Sequence, residues 1–286
     1  MFEKRYTIIP DAPRPMAGDD YADYLKVAWL ALLNGNPSEC EVQEFLERHP
    51  AMIPGAFSVV GGPSGHAPFP DAVISQPELY GYQRRRPDFM WISKNSLALN
   101  PVLIEIEAPN KKMFRKDGTP TAEFTQAKNQ LLEWKAWFSK PENQIAFLRD
   151  YGVPFHRLKL DPQYVLIYGR RSEYEGNEQL TRLRSEQMGA NEVLMSFDRL
   201  HFDGNSDQFA SVRHTPSGYE VLHVPPTLWL GPTMFSYDER PNGLHEAVGN
   251  NPFISPDRKQ FMMERISYWE EVNSKRRGIY SNADRE

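Results

Sequence analysis

Residues 99–109 read LNPVLIEIEAP, and just upstream residues 84–93 read RRRPDFMWIS. Both stretches have the length and apolar content of strands, the upstream one entered through Pro87 and the downstream one stopped by Pro109. Lys94-Asn95-Ser96 between them reads as a turn. Successive side chains on a strand point to opposite faces. Val102, Ile104 and Ile106 therefore share one face and can enter a core, while Glu105 and Glu107 share the other. Two carboxylates on one face of an apolar strand are unfavourable unless water or a cation compensates them. Asp88 reaches the same place if the two strands pair. Mg²⁺ suits such a set, because it takes one or two carboxylates and completes its shell with water and phosphate oxygens. Taken alone, the Glu pair is equally compatible with the wet face of an edge strand.

Working outward, residues 19–34 repeat apolar side chains at helical spacing (Tyr21, Leu25, Ala28, Trp29, Leu32). Ser38 followed by Glu41 is a capping-box pattern ahead of Val42, Phe45 and Leu46, and Pro50 ends that helix. Residues 58–80 read as a long loop with one short strand. Downstream of the carboxylates, TAEFTQAKNQLLEWKAWF (121–138) places Phe124, Ala127, Leu131, Trp134 and Phe138 on one helical stripe. QYVLIYGRR (163–171) is a strand apolar on both faces, NEQLTRLRSEQM (177–188) a helix, and NEVLMSFDRL (191–200) a strand leading into a short helix. The order β-β-α-β-α-β over 82–200 predicts a mixed α/β core. After residue 200, clustered prolines predict loops and short strands wrapping that core, then a final helix over 256–275 carrying Phe261, Ile266 and Trp269. The expected divisions are an N-terminal arm and helical region (1–80), a core (81–200) and an irregular C-terminal extension (201–286).

Of 286 residues, 40% are hydrophobic and 25% charged, as in an ordinary folded protein. No apolar run approaches the roughly 20 residues of a membrane-spanning helix. The N-terminus MFEKRYTIIPDAPRP lacks an apolar targeting segment, so a cytoplasmic location is expected. Cys40 is the single cysteine, which excludes an internal disulfide and a Cys-rich zinc site. The seven histidines show no HxxxH or HxH spacing, no glycine stretch has the lysine of a P-loop, and no GxSxG occurs. Net charge is −5, so any nucleic-acid surface must be local. Three basic patches qualify: Arg84-Arg85-Arg86, then Lys111-Lys112 with Arg115-Lys116, then Lys275-Arg276-Arg277. Singly each reads as solvated surface, but the first two flank the carboxylates, which suits a phosphate backbone crossing a metal site.

Taken together, Arg86-Pro87-Asp88-Phe89, the strand end Ile104-Glu105-Ile106-Glu107-Ala108-Pro109 with Phe114 in the basic turn beyond it, and the helix segment Ala127-Lys128-Asn129-Gln130 to Trp134 resemble the PD-(D/E)xK nuclease superfamily. More narrowly they resemble the Shedu antiphage-defence nucleases, also known as DUF4263, as does Glu41-Val42-Gln43-Glu44-Phe45-Leu46-Glu47-Arg48-His49-Pro50. The resemblance spans roughly residues 38–200. It implies a restriction-endonuclease-like core, a metal-dependent DNA endonuclease using Mg²⁺ or Mn²⁺, a homo-oligomer, and a phage or host protein as a further partner. It assigns Asp88, Glu105 and Glu107 as metal ligands and these three with Gln130 as the catalytic set. DNA would be met by Arg84, Arg85, Arg86, Lys111, Lys112, Arg115 and Lys116.

One position departs from the pattern. The third place of (D/E)xK calls for lysine, and this chain has Glu107. Three alternatives follow: Glu107 adds a ligand or acts as general base, Lys111 or Lys112 reaches back to replace the missing charge, or hydrolysis is lost and binding remains. Without the resemblance, Gln130 reads as a surface glutamine. Glu41 is either a helix cap or an added acid. Trp134 and Trp137 read as core or interface. The 134–138 stretch and the last helix are candidate interfaces for a second copy.

Overall fold

The computed structural model of the 286-residue chain describes residues 6–57, 66–81, 86–155, 157–232, 241–274 and 285–286. Two helices lead, α1 (Gly18–Asn34) and α2 (Glu39–Arg48). The predicted capping box is formed at α2: Ser38 and Glu41 satisfy each other's backbone N–H groups. Strands β1 (Phe69–Ser75), β2 (Phe89–Lys94) and β3 (Ala98–Ile106) follow. Then come α3 (Ala122–Phe138), α4 (Pro141–Asp150), a two-residue β4 (Lys159–Leu160), β5 (Gln163–Ile167), α5 (Glu178–Ser185) and β6 (Glu192–Met195). The C-terminal part adds β7 (Ala210–Thr215), β8 (Gly218–His223), α6 (Leu244–Asn250) and α7 (Pro256–Ser274).

Among the described residues the strands form one eight-stranded sheet in the order β6-β5-β3-β2-β1-β7-β8, with β4 beside β3. It is mixed. β2 runs antiparallel to both β1 and β3, whereas β5 is parallel to β3 and to β6. One face packs Val102, Ile104, Ile106, Phe89 and Trp91 against Tyr21, Leu25 and Trp29 of α1 and Val42 and Leu46 of α2. The other packs Leu103, Met90 and Ile92 with Phe124, Ala127 and Leu131 of α3, and extends to Ile266 and Trp269 of α7. Helices on both faces make a three-layer α/β architecture.

Several expectations change. β3 is interior, with partners on both sides, so its carboxylates do not lie on a wet edge. The irregular C-terminal extension is more regular than its prolines suggest. β7 joins the central sheet by pairing parallel with β1, carrying Ala210 beside Ala72, and β8 turns back against β7. α4 was not anticipated; its apolar content is small, and Phe147 is its one fully buried side chain. Trp134 and Trp137 are core, with 2% and 8% of their surfaces exposed. Trp134, Trp137 and Phe138 of α3, and Ile266 and Trp269 of α7, are thus packed within the chain, while Phe261 and Tyr268 of α7 are half-buried. Among the described residues no helix is long and apolar enough to cross a membrane.

Candidate active site

The β2–β3 register sets Phe89 across from Ile104, so one step outward Asp88 stands across from Glu105. Hydrogen bonds from two neighbouring segments hold Asp88. Its own N–H donates to the Ile104 carbonyl at 3.0 Å, its carbonyl accepts from Gln76 N–H at 2.8 Å, and its carboxylate Oδ2 accepts from Ile106 N–H at 2.7 Å. Buried Pro87, which has no N–H to donate, immediately precedes it. β1, β2 and β3 thus converge on this residue.

Glu105 lies on the α3 side of β3 with 7% of its surface exposed. Its Oε2 has no hydrogen-bond partner, and neither has Oε1 of Gln130. The Gln130 side chain hydrogen-bonds the Glu105 carboxyl and favours its ionised form, but burial dominates, and with the charges of Asp88, Glu107 and Glu39 it holds Glu105 well above the ordinary carboxylate range. Burial likewise pushes Asp88 up to about 7, opposed by the Ile106 N–H and aided by Glu39 and Glu107. Two buried carboxyls facing each other without a cation are what a divalent ion would relieve. The residues therefore fit such an ion, through Asp88 and Glu105 first.

Glu107 follows the last residue of β3 and extends the ladder, its N–H donating to the Ile167 carbonyl at 3.2 Å. Whereas Glu105 keeps one oxygen without a partner, Glu107 is braced by two charged side chains. Lys111 Nζ donates to its carboxylate, and Glu39, the first residue of α2, shares a hydrogen bond with it. Burial and the Glu107 charge raise the Glu39 carboxyl, with Lys111 opposing. Among the described residues no three His, Cys, Asp or Glu side chains converge as a ready-made metal cage. The arrangement is two facing carboxylates with a braced third beside them.

α2 contributes differently from the sequence expectation. Glu41 is taken up by the cap, its carboxylate accepting from Ser38 N–H at 2.8 Å, so the capping alternative holds. The acid that reaches the site is Glu39, two residues earlier. Gln43 also reaches it: its amide donates to the Asp88 carbonyl at 3.4 Å, to Ser75 Oγ at 3.3 Å and to Glu47 at 3.3 Å. The signal available for both was the strong helix start at Ser38, which fixes which α2 side chains share a face.

The basic residues divide. Arg84, Arg85 and Lys275-Arg276-Arg277 lie outside the described residues. Arg86 is exposed and paired with Glu78. Lys112, Arg115 and Lys116 are exposed on the turn after β3, which is pinned from within by buried Met113 and Phe114. Phe114 N–H donates to Glu173 at 3.0 Å, and Gly118, at φ 82°, closes the turn.

A sequence model of the family described as "Shedu protein SduA, C-terminal" matches residues 36–201, more than half of the chain. The chain belongs to the Shedu family. The matched span takes in α2 through β6, and with them Glu39, Asp88, Glu105, Glu107, Lys111 and Gln130. The sheet strands β7 and β8 and helices α1, α6 and α7 lie outside the Shedu match. No curated protein matches the chain.

Proposed function

We propose that this member of the Shedu antiphage-defence family is a divalent-metal-dependent DNA endonuclease acting in the cytoplasm. The observation that carries the reading is the unpartnered, buried Oε2 of Glu105 opposite the Asp88 carboxyl. The reading includes a restriction-endonuclease-like core, supported by the mixed β6-β5-β3-β2 array with α3 over the face that bears Glu105.

Asp88 and Glu105 would hold Mg²⁺ or Mn²⁺, with Glu107 as the adjoining third carboxylate. Such an ion, when bound, polarises a phosphodiester and stabilises the charge that develops during hydrolysis. Glu107 orients the attacking water and accepts its proton. Gln130 fixes the Glu105 carboxyl through its amide and keeps a free carbonyl oxygen to accept from a bound water. Lys112, Arg115 and Lys116, and Arg86 just ahead of Asp88 in the chain, contact the phosphate backbone of DNA and carry little sequence information. A homo-oligomer and a phage or host protein partner belong to the same reading.

Supercoiled plasmid incubated with Mg²⁺ or Mn²⁺ tests it. Wild-type protein nicks the plasmid, while Asp88→Asn and Glu105→Gln do not. The second reading is a DNA-binding member without hydrolysis, favoured by Glu107 at the motif's lysine position. Retained duplex binding with no nicking by wild type selects that one.

A further inference from the structure

Resting on the nuclease reading above, we infer that Lys111 is the cationic positioning residue of this site, delivered by the turn after β3 in place of a lysine on the strand itself. The strand position two after Glu105 carries an anion, Glu107. Beyond it the chain folds back: Lys111 N–H donates to the Ala108 carbonyl at 3.0 Å, closing a turn that returns residue 111 over residue 107. Lys111 Nζ then meets the Glu107 carboxylate, with both side chains only partly exposed.

The backbone around Lys111 is held on several sides, which separates it from the exposed lysines nearby. A Cβ on Gly169 would lie 3.0 Å from the Lys111 carbonyl, so the bare glycine after β5 lets the turn sit this close. The next carbonyl, that of Lys112, accepts from Thr121 Oγ1 at 2.8 Å, and Met113 is fully buried. By contrast the Lys112 side chain itself is exposed. Lys111 feels Glu107 from the end of β3, Glu39 from α2 and Glu123 from the first turn of α3. The Glu107 charge in turn helps to raise the carboxyls of Asp88 and Glu105. An ammonium set against the Glu107 carboxylate, which Glu39 of α2 also hydrogen-bonds, is the group that can orient Glu107. Of the two lysines available after the strand, the fold selects Lys111.

The test uses full-length protein, supercoiled plasmid with Mg²⁺ for nicking, and a short labelled duplex with Ca²⁺ for binding. Lys111→Met is expected to lower the nicking rate at saturating plasmid by about a hundredfold, the scale of removing one preorganised electrostatic group. Duplex affinity in Ca²⁺ and melting temperature should stay near those of wild type. Ethylammonium added to Lys111→Met should restore part of the rate. The swap Glu107→Lys with Lys111→Glu, which returns a cation to the strand, should nick faster than Lys111→Met. Wild-type nicking by Lys111→Met overturns the inference. So does a loss of rate matched by a loss of duplex affinity, since Lys111 would then be one more backbone contact. A fall in rate that tracks a fall in melting temperature, with no amine rescue, overturns it as well. If wild type itself does not nick, the nuclease reading fails and takes this inference with it; if wild type nicks and Lys111→Met does too, only the inference fails.

Discussion

Asp88 faces Glu105 across the β2–β3 ladder while its carboxylate accepts a hydrogen bond from the backbone of Ile106, one residue beyond Glu105. A single side chain thus closes the end of the strand pair and supplies half of a buried acidic couple. Structure and chemistry are joined at this residue.

The first expectation concerns pH. Burial raises the Asp88 carboxyl to about 7, against about 4 in an unfolded chain. Between those values the native state holds more protons than the unfolded one, so stability falls as pH rises through that window. Glu105, also raised, acts in the same direction. Metal-free wild type should therefore lose melting temperature from about pH 4 to about pH 7 relative to Asp88→Asn, which keeps an acceptor for Ile106 N–H but loses the titration. Melts in EDTA across that range measure the difference; parallel curves for the two proteins would contradict it.

Metal should reverse that loss. A ligand that binds only the folded state adds about 2.7 kcal/mol at a hundred times its dissociation constant. Mg²⁺ or Mn²⁺ should raise the melting temperature of wild type near neutral pH, where the couple is most strained, and raise it little in Glu105→Gln. Differential scanning calorimetry with and without the ion decides this. An equal shift in both proteins would place the ion elsewhere.

The turn after β3 should act through charge alone at its exposed residues. Replacing Lys112, Arg115 or Lys116 with alanine should each reduce the slope of log affinity against log salt by about 0.9. Their melting temperatures should hardly move, since exposed substitutions stay within about 0.5 kcal/mol. Titration of a labelled duplex at several salt concentrations gives the slopes, and an unchanged slope removes that residue from the interface.

Gly169 and Gly176 form a matched pair. Both adopt positive φ, 64° and 75°, but a Cβ at Gly169 meets the Lys111 carbonyl at 3.0 Å whereas one at Gly176 meets nothing. A left-handed non-glycine residue costs about 1–2 kcal/mol. Gly176→Ala should show that loss in stability with normal nicking. Gly169→Ala should lose more stability and also nicking, because the turn bearing Lys111 must move. Equal behaviour of the two variants in both measurements would separate Lys111 placement from Gly169.

Much of the site was legible in local pattern. Alternation along 102–107 assigned Glu105 and Glu107 to the face opposite Val102, Ile104 and Ile106, and those three do pack into the core on the other side. Ser38 with Glu41 declared the start of α2, and the stripe from Phe124 to Phe138 declared α3. These signals are periodic, and periodicity is set by the geometry of one segment, so one sequence is enough to read it.

Tertiary structure decided the rest. Whether β3 is an edge or an interior strand depends on β5, more than fifty residues later, coming back to pair with it. That β7 extends the sheet depends on its parallel register with β1, with no local trace in either strand. Glu39 instead of Glu41, and Lys111 instead of Lys112, were settled by which way a helix start and a turn point once packed against the sheet. By itself the sequence determined which residues share a face of each element. Which faces meet was left to non-local pairing and packing, because those depend on distances through space that spacing along the chain does not encode.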